Sequence, residues 1–327
     1  MLKEVSVIGC GRWGSFLAWH FASISERVYL YGRPGSASLA SLRERRCNDY
    51  LRLRDNITLT SSLGDVFEPD KIFVSVKCQG FRELCGEIAR VSTDRHQLIL
   101  AMKGLENSTG GRMSEIASET LAAKNVAVLV GPGHPQSLVA GIPTLMLVDS
   151  RDRGLTNSLV NELNTKLIRL YKGSDIIGSE IGAALKNVIG IAAGLLDGGG
   201  YASLKGPLMA RGAVEVARLI ASEGGDPRSA FGLSHLGDYE ATLFSPYSRN
   251  RAYGESFIKK IPFVGLAEGI ETLRAVRKCS RKHKLEMPIC DALHRVLFEG
   301  CDPAGILDEL FKRPVREEHA PVSSYSL

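Results

Sequence analysis

The chain opens on Glu4-Val5-Ser6-Val7-Ile8-Gly9-Cys10-Gly11-Arg12-Trp13-Gly14, and this stretch decides the fold of the first half. Val5, Val7 and Ile8 form a short β-branched run, which favours a strand. Gly9, Gly11 and Gly14 follow at once in GxGxxG spacing. Ser15 to Ser23 then reads as a helix, with apolar side chains at Phe16, Leu17, Trp19 and Phe21. Strand, tight turn and helix in that order give the glycine motif its meaning. The first glycine permits the turn, the second lets backbone approach a pyrophosphate, and the third lets the helix pack on the strand. The helix N-terminus supplies an anion site. The expectation is a dinucleotide-binding α/β domain.

A second strand, Arg27-Val28-Tyr29-Leu30-Tyr31, ends in Gly32-Arg33-Pro34. An NAD-preferring site carries an acid here for the ribose 2′-hydroxyl, whereas an arginine pairs with a 2′-phosphate. Arg33 leans to NADP(H) and leaves NAD(H) open; it also reads as an exposed loop arginine. Further strands are expected at Lys71–Val76, Gln97–Met102, Val126–Val130 and Thr144–Val148. Their continuous apolar runs suit a parallel sheet covered on both faces. Functional residues in such sheets gather past the strand C-termini. Lys103-Gly104-Leu105-Glu106 and Gly131-Pro132-Gly133-His134-Pro135 stand at such places, and Lys103 is expected to face substrate.

From about residue 175 the pattern is helical. Glu180 to Gly194 holds one lysine, Lys186, in a run of small and apolar residues. Burial disfavours an ammonium and lowers its pKa, which makes a lysine usable as an acid or base. The other reading is a lysine snorkelling at a helix edge. Beyond a second helix, Leu208 to Ser222, comes His235-Leu236-Gly237-Asp238-Tyr239-Glu240-Ala241-Thr242, in which Asp238 reads equally as a helix cap. Ser248-Arg249-Asn250 offers a hydroxyl, a guanidinium and an amide for gripping phosphate, or a solvated turn. His134, His235 and His283 stand singly and read as structural or surface residues. The expected organisation is a nucleotide-binding domain at 1–174, a helical substrate domain at 175–312 and a flexible tail at 313–327.

The bulk composition narrows the function. The chain has 327 residues, 44% hydrophobic and 24% charged, with a net charge of +5. That mild positive balance suits a small anionic substrate and a phosphate-bearing cofactor. No basic run with interleaved aromatics supports nucleic-acid binding. Seven cysteines without a CxxC pair read as reduced thiols in a cytoplasm. The histidines show no metal-ligand spacing. Met1 runs straight towards a strand, so no signal peptide is expected, and no apolar run reaches the ~18 residues of a membrane span.

Taken together, these motifs resemble the soluble, bacterial-type NAD(P)-dependent glycerol-3-phosphate dehydrogenases, over about Glu4 to Lys312. The resemblance rests on the glycine motif, Lys103-Gly104-Leu105-Glu106, Gly131-Pro132 and Ala140-Gly141-Ile142-Pro143-Thr144. It continues through Ala184-Leu185-Lys186-Asn187-Val188-Ile189, Gly237-Asp238, Ser248-Arg249-Asn250 and Glu268-Gly269. It implies a Rossmann-type α/β N-terminal domain plus an all-α C-terminal domain, assembled as a homodimer. The implied reaction interconverts dihydroxyacetone phosphate and sn-glycerol 3-phosphate by hydride transfer with NAD(P)H, feeding phospholipid synthesis. Lys186 would be the general acid/base. Lys103, Gly131, Asn187, Asp238, Thr242, Ser248, Arg249 and Asn250 would line the substrate. Gly9, Gly11, Arg12, Trp13, Gly14, Arg33, Lys103, Pro135 and Arg249 would contact the cofactor, with Leu266 and Glu268 near its nicotinamide end.

Two stretches depart from the family pattern. Gly131-Pro132-Gly133-His134-Pro135 stands where Gly-Pro-Ser-Phe-Ala is usual, and Val76-Lys77-Cys78 where a Pro-Ser is usual. The alternatives are a reductase of another phosphorylated or carboxylated 2-keto compound on the same scaffold, and a non-catalytic NAD(P)-sensing protein.

Overall fold

The computed structural model describes residues 2–119, 125–315 and 317–318. Most of the expected flexible tail, residues 316 and 319–327, lies outside the described residues. The chain divides into two compact units. One holds the chain up to Met102 together with Met113–Ile176; the other holds Lys103–Arg112 and the chain from Ile177 onward.

The described residues of the first unit form an eight-stranded sheet. Its strands are β1 (Leu2–Ile8), β2 (Ser25–Tyr31), β3 (Ile57–Thr60), β4 (Lys71–Val74), β5 (Gln97–Leu100), β6 (Val126–Val130), β7 (Thr144–Ser150) and β8 (Ile168–Lys172). Their order is β3-β2-β1-β4-β5-β6-β7-β8, so the direction of winding reverses between β1 and β4. Among the described residues seven α-helices belong to this unit: α1 (Arg12–Phe21), α2 (Ala37–Arg45), α3 (Leu63–Val66), α4 (Phe81–Ile88), α5 (Met113–Ser118), α6 (Pro135–Val139) and α7 (Arg153–Leu163). Helix α1 begins at Arg12, three residues ahead of the expected start.

The sheet is parallel, as the apolar runs suggest, except at β7, which runs antiparallel to β6 with Val128 opposite Asp149. Helix α6 explains this. It has five residues, a length of about 7.5 Å, too short to carry the chain back along a five-residue strand of about 17 Å. β8 follows β7 in parallel, giving a reversed pair at one edge.

The second unit is helical: α8 (Ile176–Gly198), α9 (Lys205–Ser222), α10 (Arg249–Lys259), α11 (Glu268–Lys282), α12 (Pro288–Phe298) and α13 (Pro303–Phe311). Between α9 and α10 lie a 3₁₀ turn, Leu236–Asp238, and a π-helical turn, Glu240–Phe244. Helix α8 is the axis of the core, with Ile181, Ala184, Leu185, Val188 and Ile191 almost wholly buried. It corrects the expectation about apolar length. By length and composition α8 suffices to cross a membrane, but its most apolar window is 94% buried inside the protein. It is a core helix apolar all round.

Two glycine-mediated approaches fix the helix packing around α8. A Cβ on Gly194 would lie 2.0 Å from the Arg251 carbonyl oxygen, and one on Gly254 2.2 Å from the Ile191 carbonyl oxygen. Helices α8 and α10 therefore meet backbone to backbone. Gly194→Ala must push them apart, and the expected cost is roughly 1–3 kcal/mol or more. Thermal denaturation checks this; an unchanged midpoint would show that the crossing has slack. The excursion Lys103–Arg112 is tied to α8 by a buried ion pair, Arg112 to Glu180 at 3.0 Å.

Candidate active site

In the first unit, β1 delivers the glycine turn. Gly9 has φ of 108°, and a Cβ there would lie 2.2 Å from the Ser75 carbonyl oxygen. A Cβ on Gly14 would collide with the Gly9 carbonyl oxygen at 1.7 Å, so α1 packs directly on the turn. Gly11 differs: a Cβ there meets no protein atom within 4 Å. Packing inside the chain does not require glycine at that point, whereas close approach of an outside group does. Gly11 is the N-cap of α1 and supplies no side-chain cap, leaving the first amides of the helix to an anion. These features fit the pyrophosphate of a dinucleotide.

Around the turn, Trp13 stacks on Phe16 with ring centroids 5.1 Å apart. The Trp13 indole nitrogen is buried without a partner among the described residues. Arg12 starts α1, and its carbonyl accepts from the Tyr50 hydroxyl. Arg33 is exposed just past β2. Gly131 is buried past β6 at φ of 130°. Gly133 leaves room where a Cβ would sit 3.4 Å from the Trp13 ring, and Pro135 is the first residue of α6. A proline there costs the helix no internal hydrogen bond, but it removes one outward amide.

The second unit gathers the lysines. Asp238 is fully buried in the 3₁₀ turn. Its Oδ2 accepts from Lys103 Nζ at 2.8 Å and from Lys186 Nζ at 2.9 Å. Its other oxygen, Oδ1, is buried without a partner among the described residues. Lys186 also donates to the Thr242 hydroxyl at 2.8 Å, and that hydroxyl donates to the Asp238 carbonyl at 2.7 Å. The π-helical turn sets the latter contact. π-bulges recur at functional sites because they re-aim side chains.

The electrostatics of this cluster are unusual. Burial lowers the Lys186 pKa and the nearby Lys103 charge lowers it further, while Asp238 pulls it up; it settles at about 8. Lys186 is therefore mostly protonated at neutral pH and close to losing its proton. Burial alone would raise the Asp238 carboxyl, but the two ammonium groups hold it below its ordinary value. Lys186 thus lies inside the core of its unit as a desolvated amine, and does not snorkel. Asp238 caps nothing by its side chain; it is a counter-ion.

Asn187 and Asn250 adjoin this cluster. Asn187 donates to the Lys103 carbonyl at 3.3 Å and accepts from Asn250 at 3.0 Å. Asn250 in turn accepts from the Gly269 amide at 3.0 Å. These two bonds brace the start of α11 against α8, a role that the sequence does not reveal, and they use one of the two amide hydrogens. The Ser248 hydroxyl is likewise engaged, accepting from the Arg251 amide as the cap of α10. Arg249, the first residue of α10, is exposed and makes no ion pair or hydrogen bond among the described residues. Its guanidinium lies 3.7 Å from the position a Gly265 Cβ would take. Leu266 is half-buried beside that loop, and Glu268 begins α11 close enough to raise the Lys186 pKa slightly.

A histidine braces the same turn. His235 is wholly buried, with Nδ1 at 2.9 Å from the Gly182 carbonyl and Nε2 at 2.6 Å from the Tyr239 hydroxyl. Burial holds its pKa at about 4, so it is neutral. It fixes the turn bearing Asp238 against α8, the structural role expected of it.

Comparison with known proteins decides the family. The sequence matches the N-terminal model of NAD-dependent glycerol-3-phosphate dehydrogenase over residues 4–156 and its C-terminal model over residues 175–308. The chain belongs to this family. It is 36% identical to glycerol-3-phosphate dehydrogenase [NAD(P)+] of Chlorobium limicola over 330 residues, covering 96% of this chain and 99% of the relative. It is 32% identical to glycerol-3-phosphate dehydrogenase [NAD(P)+] 2 of Salinibacter ruber, covering 98% of this chain and 97% of the relative. A crystal structure of the Coxiella burnetii glycerol-3-phosphate dehydrogenase is similar with a TM-score of 0.89 at 26% identity, covering 95% of this chain and 99% of that one. Family membership carries a nicotinamide cofactor, a small phosphorylated substrate, and the expected pairing of a Rossmann-type domain with a helical one.

Proposed function

We infer that the chain reduces dihydroxyacetone phosphate to sn-glycerol 3-phosphate, and catalyses the reverse, with Lys186 as the general acid/base and a homodimer as the working assembly. The observation that carries this reading is the Lys186–Asp238–Lys103 cluster, in which one buried carboxylate holds two ammonium groups. When bound, the nicotinamide supplies or accepts the hydride at the substrate C2 carbon. Lys186 gives its proton to the C2 oxygen in reduction and takes it back in oxidation, a task suited to its pKa of about 8. Lys103 adds a positive charge that stabilises the developing alkoxide. Asp238 Oδ1 remains to accept from a substrate hydroxyl. Arg249, exposed and unengaged among the described residues, takes the phosphate.

In the same proposal Arg33 selects NADP(H) by pairing with the 2′-phosphate. The test follows nicotinamide absorbance with dihydroxyacetone phosphate, comparing NADPH with NADH. Oxidation of both is expected, with NADPH preferred. Arg33→Ala should lower kcat/KM for NADPH by roughly tenfold or more, the worth of a charge-assisted hydrogen bond, and leave NADH unchanged. Protein that binds either cofactor and oxidises neither would sink the reading.

A second reading, a reductase of a different 2-keto substrate, draws on the Gly133-His134-Pro135 departure. Arg249→Ala separates the two. A fall in kcat/KM of roughly tenfold or more for dihydroxyacetone phosphate supports the phosphate grip, and an unchanged value favours the other substrate.

A further inference from the structure

Helix α11 carries a second concentration of positive charge that the proposed chemistry does not use. Arg274, Arg277, Lys278 and Arg281 recur at three- and four-residue spacing, which places them along one face. With Glu299 they line a pocket of about 600 Å³, a volume within the range of small-molecule sites. Their charges are poorly matched. Arg274 pairs with Glu271 at 3.2 Å and lies over the Phe298 ring; Arg277 pairs with Glu299, also at 3.2 Å. Among the described residues the Lys278 ammonium donates to the Ser108 carbonyl alone, at 2.7 Å. The Arg281 guanidinium has no hydrogen bond or ion pair among the described residues. His294 also lines the pocket, and burial and the Arg277 charge lower its pKa despite its contact with Glu299. Asp291 is the remaining carboxylate that feels these cations.

We propose that this pocket binds a soluble anion bearing more than one phosphate group and acts as an effector site on the substrate cluster. Two or more phosphates suit four cations facing one concavity, and the arginine forks match phosphate oxygens. The link to the cluster is covalent continuity. Lys278 holds the Ser108 carbonyl, Cys279 Sγ lies 3.6 Å from the Gly110 carbonyl, and Asn107 donates to Glu271. All three contacts fall on the segment that begins with Lys103. An anion that draws Lys278 towards itself releases Ser108 and loosens the anchorage of Lys103. The effector half rests on the function proposed above; the binding half does not.

Calorimetric titration with inorganic pyrophosphate tests the site, with NADPH and glycerol 3-phosphate at saturation so that the catalytic phosphate positions are filled. One site per chain is expected. The double variant Arg277→Ala/Arg281→Ala should weaken it at least tenfold, with unchanged turnover in the absence of pyrophosphate. Glu299→Gln should tighten it. No binding, or binding equal in the double variant, overturns the site. Vesicles containing phosphatidylglycerol form a second arm; binding to them by way of Arg277 and Arg281, without binding to pyrophosphate, overturns the soluble ligand in favour of a lipid surface. In the turnover assay pyrophosphate should raise KM for dihydroxyacetone phosphate by roughly 5-fold or more, the lower end of allosteric coupling. The double variant should abolish that rise. Binding with an unmoved KM overturns the effector role.

Discussion

Lys186→Ala is expected to lower kcat for dihydroxyacetone phosphate reduction by roughly 10²–10⁴-fold, the contribution of a positioned general acid. The substitution removes the one group in the cluster whose pKa, about 8, suits proton exchange near neutrality. Binding of the cofactor should survive, since the glycine turn belongs to the other unit. The fold should survive as well, because Asp238 keeps Lys103 as its counter-ion at 2.8 Å. Steady-state kinetics with matched circular dichroism decide the matter. A folded variant with near-native kcat would remove Lys186 from the chemistry and leave it a structural cation.

Asp238→Asn is expected to damage both stability and rate, for a single electrostatic reason. The substitution leaves two ammonium groups facing each other without the carboxylate that both now contact. Breaking a buried ion pair by removing one partner costs about 3–5 kcal/mol. The stability that Asp238 itself contributes has a definite sign. Its folded pKa lies below the ordinary carboxylate value, so the contribution is present at neutral pH and drains away as pH falls through the carboxylate range. In the variant, the upward pull on Lys186 disappears while burial and Lys103 continue to depress its pKa. The pH optimum for reduction should therefore move to lower pH. Denaturant titration and a pH–rate profile read the two effects separately. A stability near wild type with an unmoved profile would contradict the role of Asp238 as shared counter-ion.

The glycine turn was legible because its physics is local. Gly9 needs a φ of 108°, Gly14 packs on the Gly9 carbonyl, and Gly11 leaves the approach open, all within the motif; only the Ser75 contact of Gly9 comes from elsewhere in the chain. The interior strands were legible from their apolar runs. β3 and β8 were not, since both are edge strands; β3 has only four residues, and in β8 the buried Ile168 and Leu170 alternate with exposed neighbours. The antiparallel placement of β7 was hidden too, because reversal depends on the length of α6 and not on the strand's composition.

The site was legible in its parts and not in its connections. Lys186 stood out as a charge in an apolar run, and Lys103 as a residue past a strand end. Asp238 after a glycine resembled a cap because its partner Lys103 is 135 positions away. Asn250 reads as a phosphate ligand, and folding adds a second task, since its amide also braces Asn187 and the Gly269 backbone. Only folding reveals such bracing bonds. His235 reads as structural or surface from the sequence, but its bond to Gly182 exists only once α8 meets the turn before the π-helical segment.

The central claim is that Lys186 exchanges the proton at the substrate oxygen. It is tested most directly by the pH dependence of kcat/KM in both directions, which reports the free enzyme's essential groups. In wild type, reduction should fall above an inflection near the Lys186 pKa of about 8, and oxidation should rise to a plateau at the same inflection. The residual activity of Lys186→Ala should show neither. The same inflection persisting in the variant would assign the proton to another group and contradict the account.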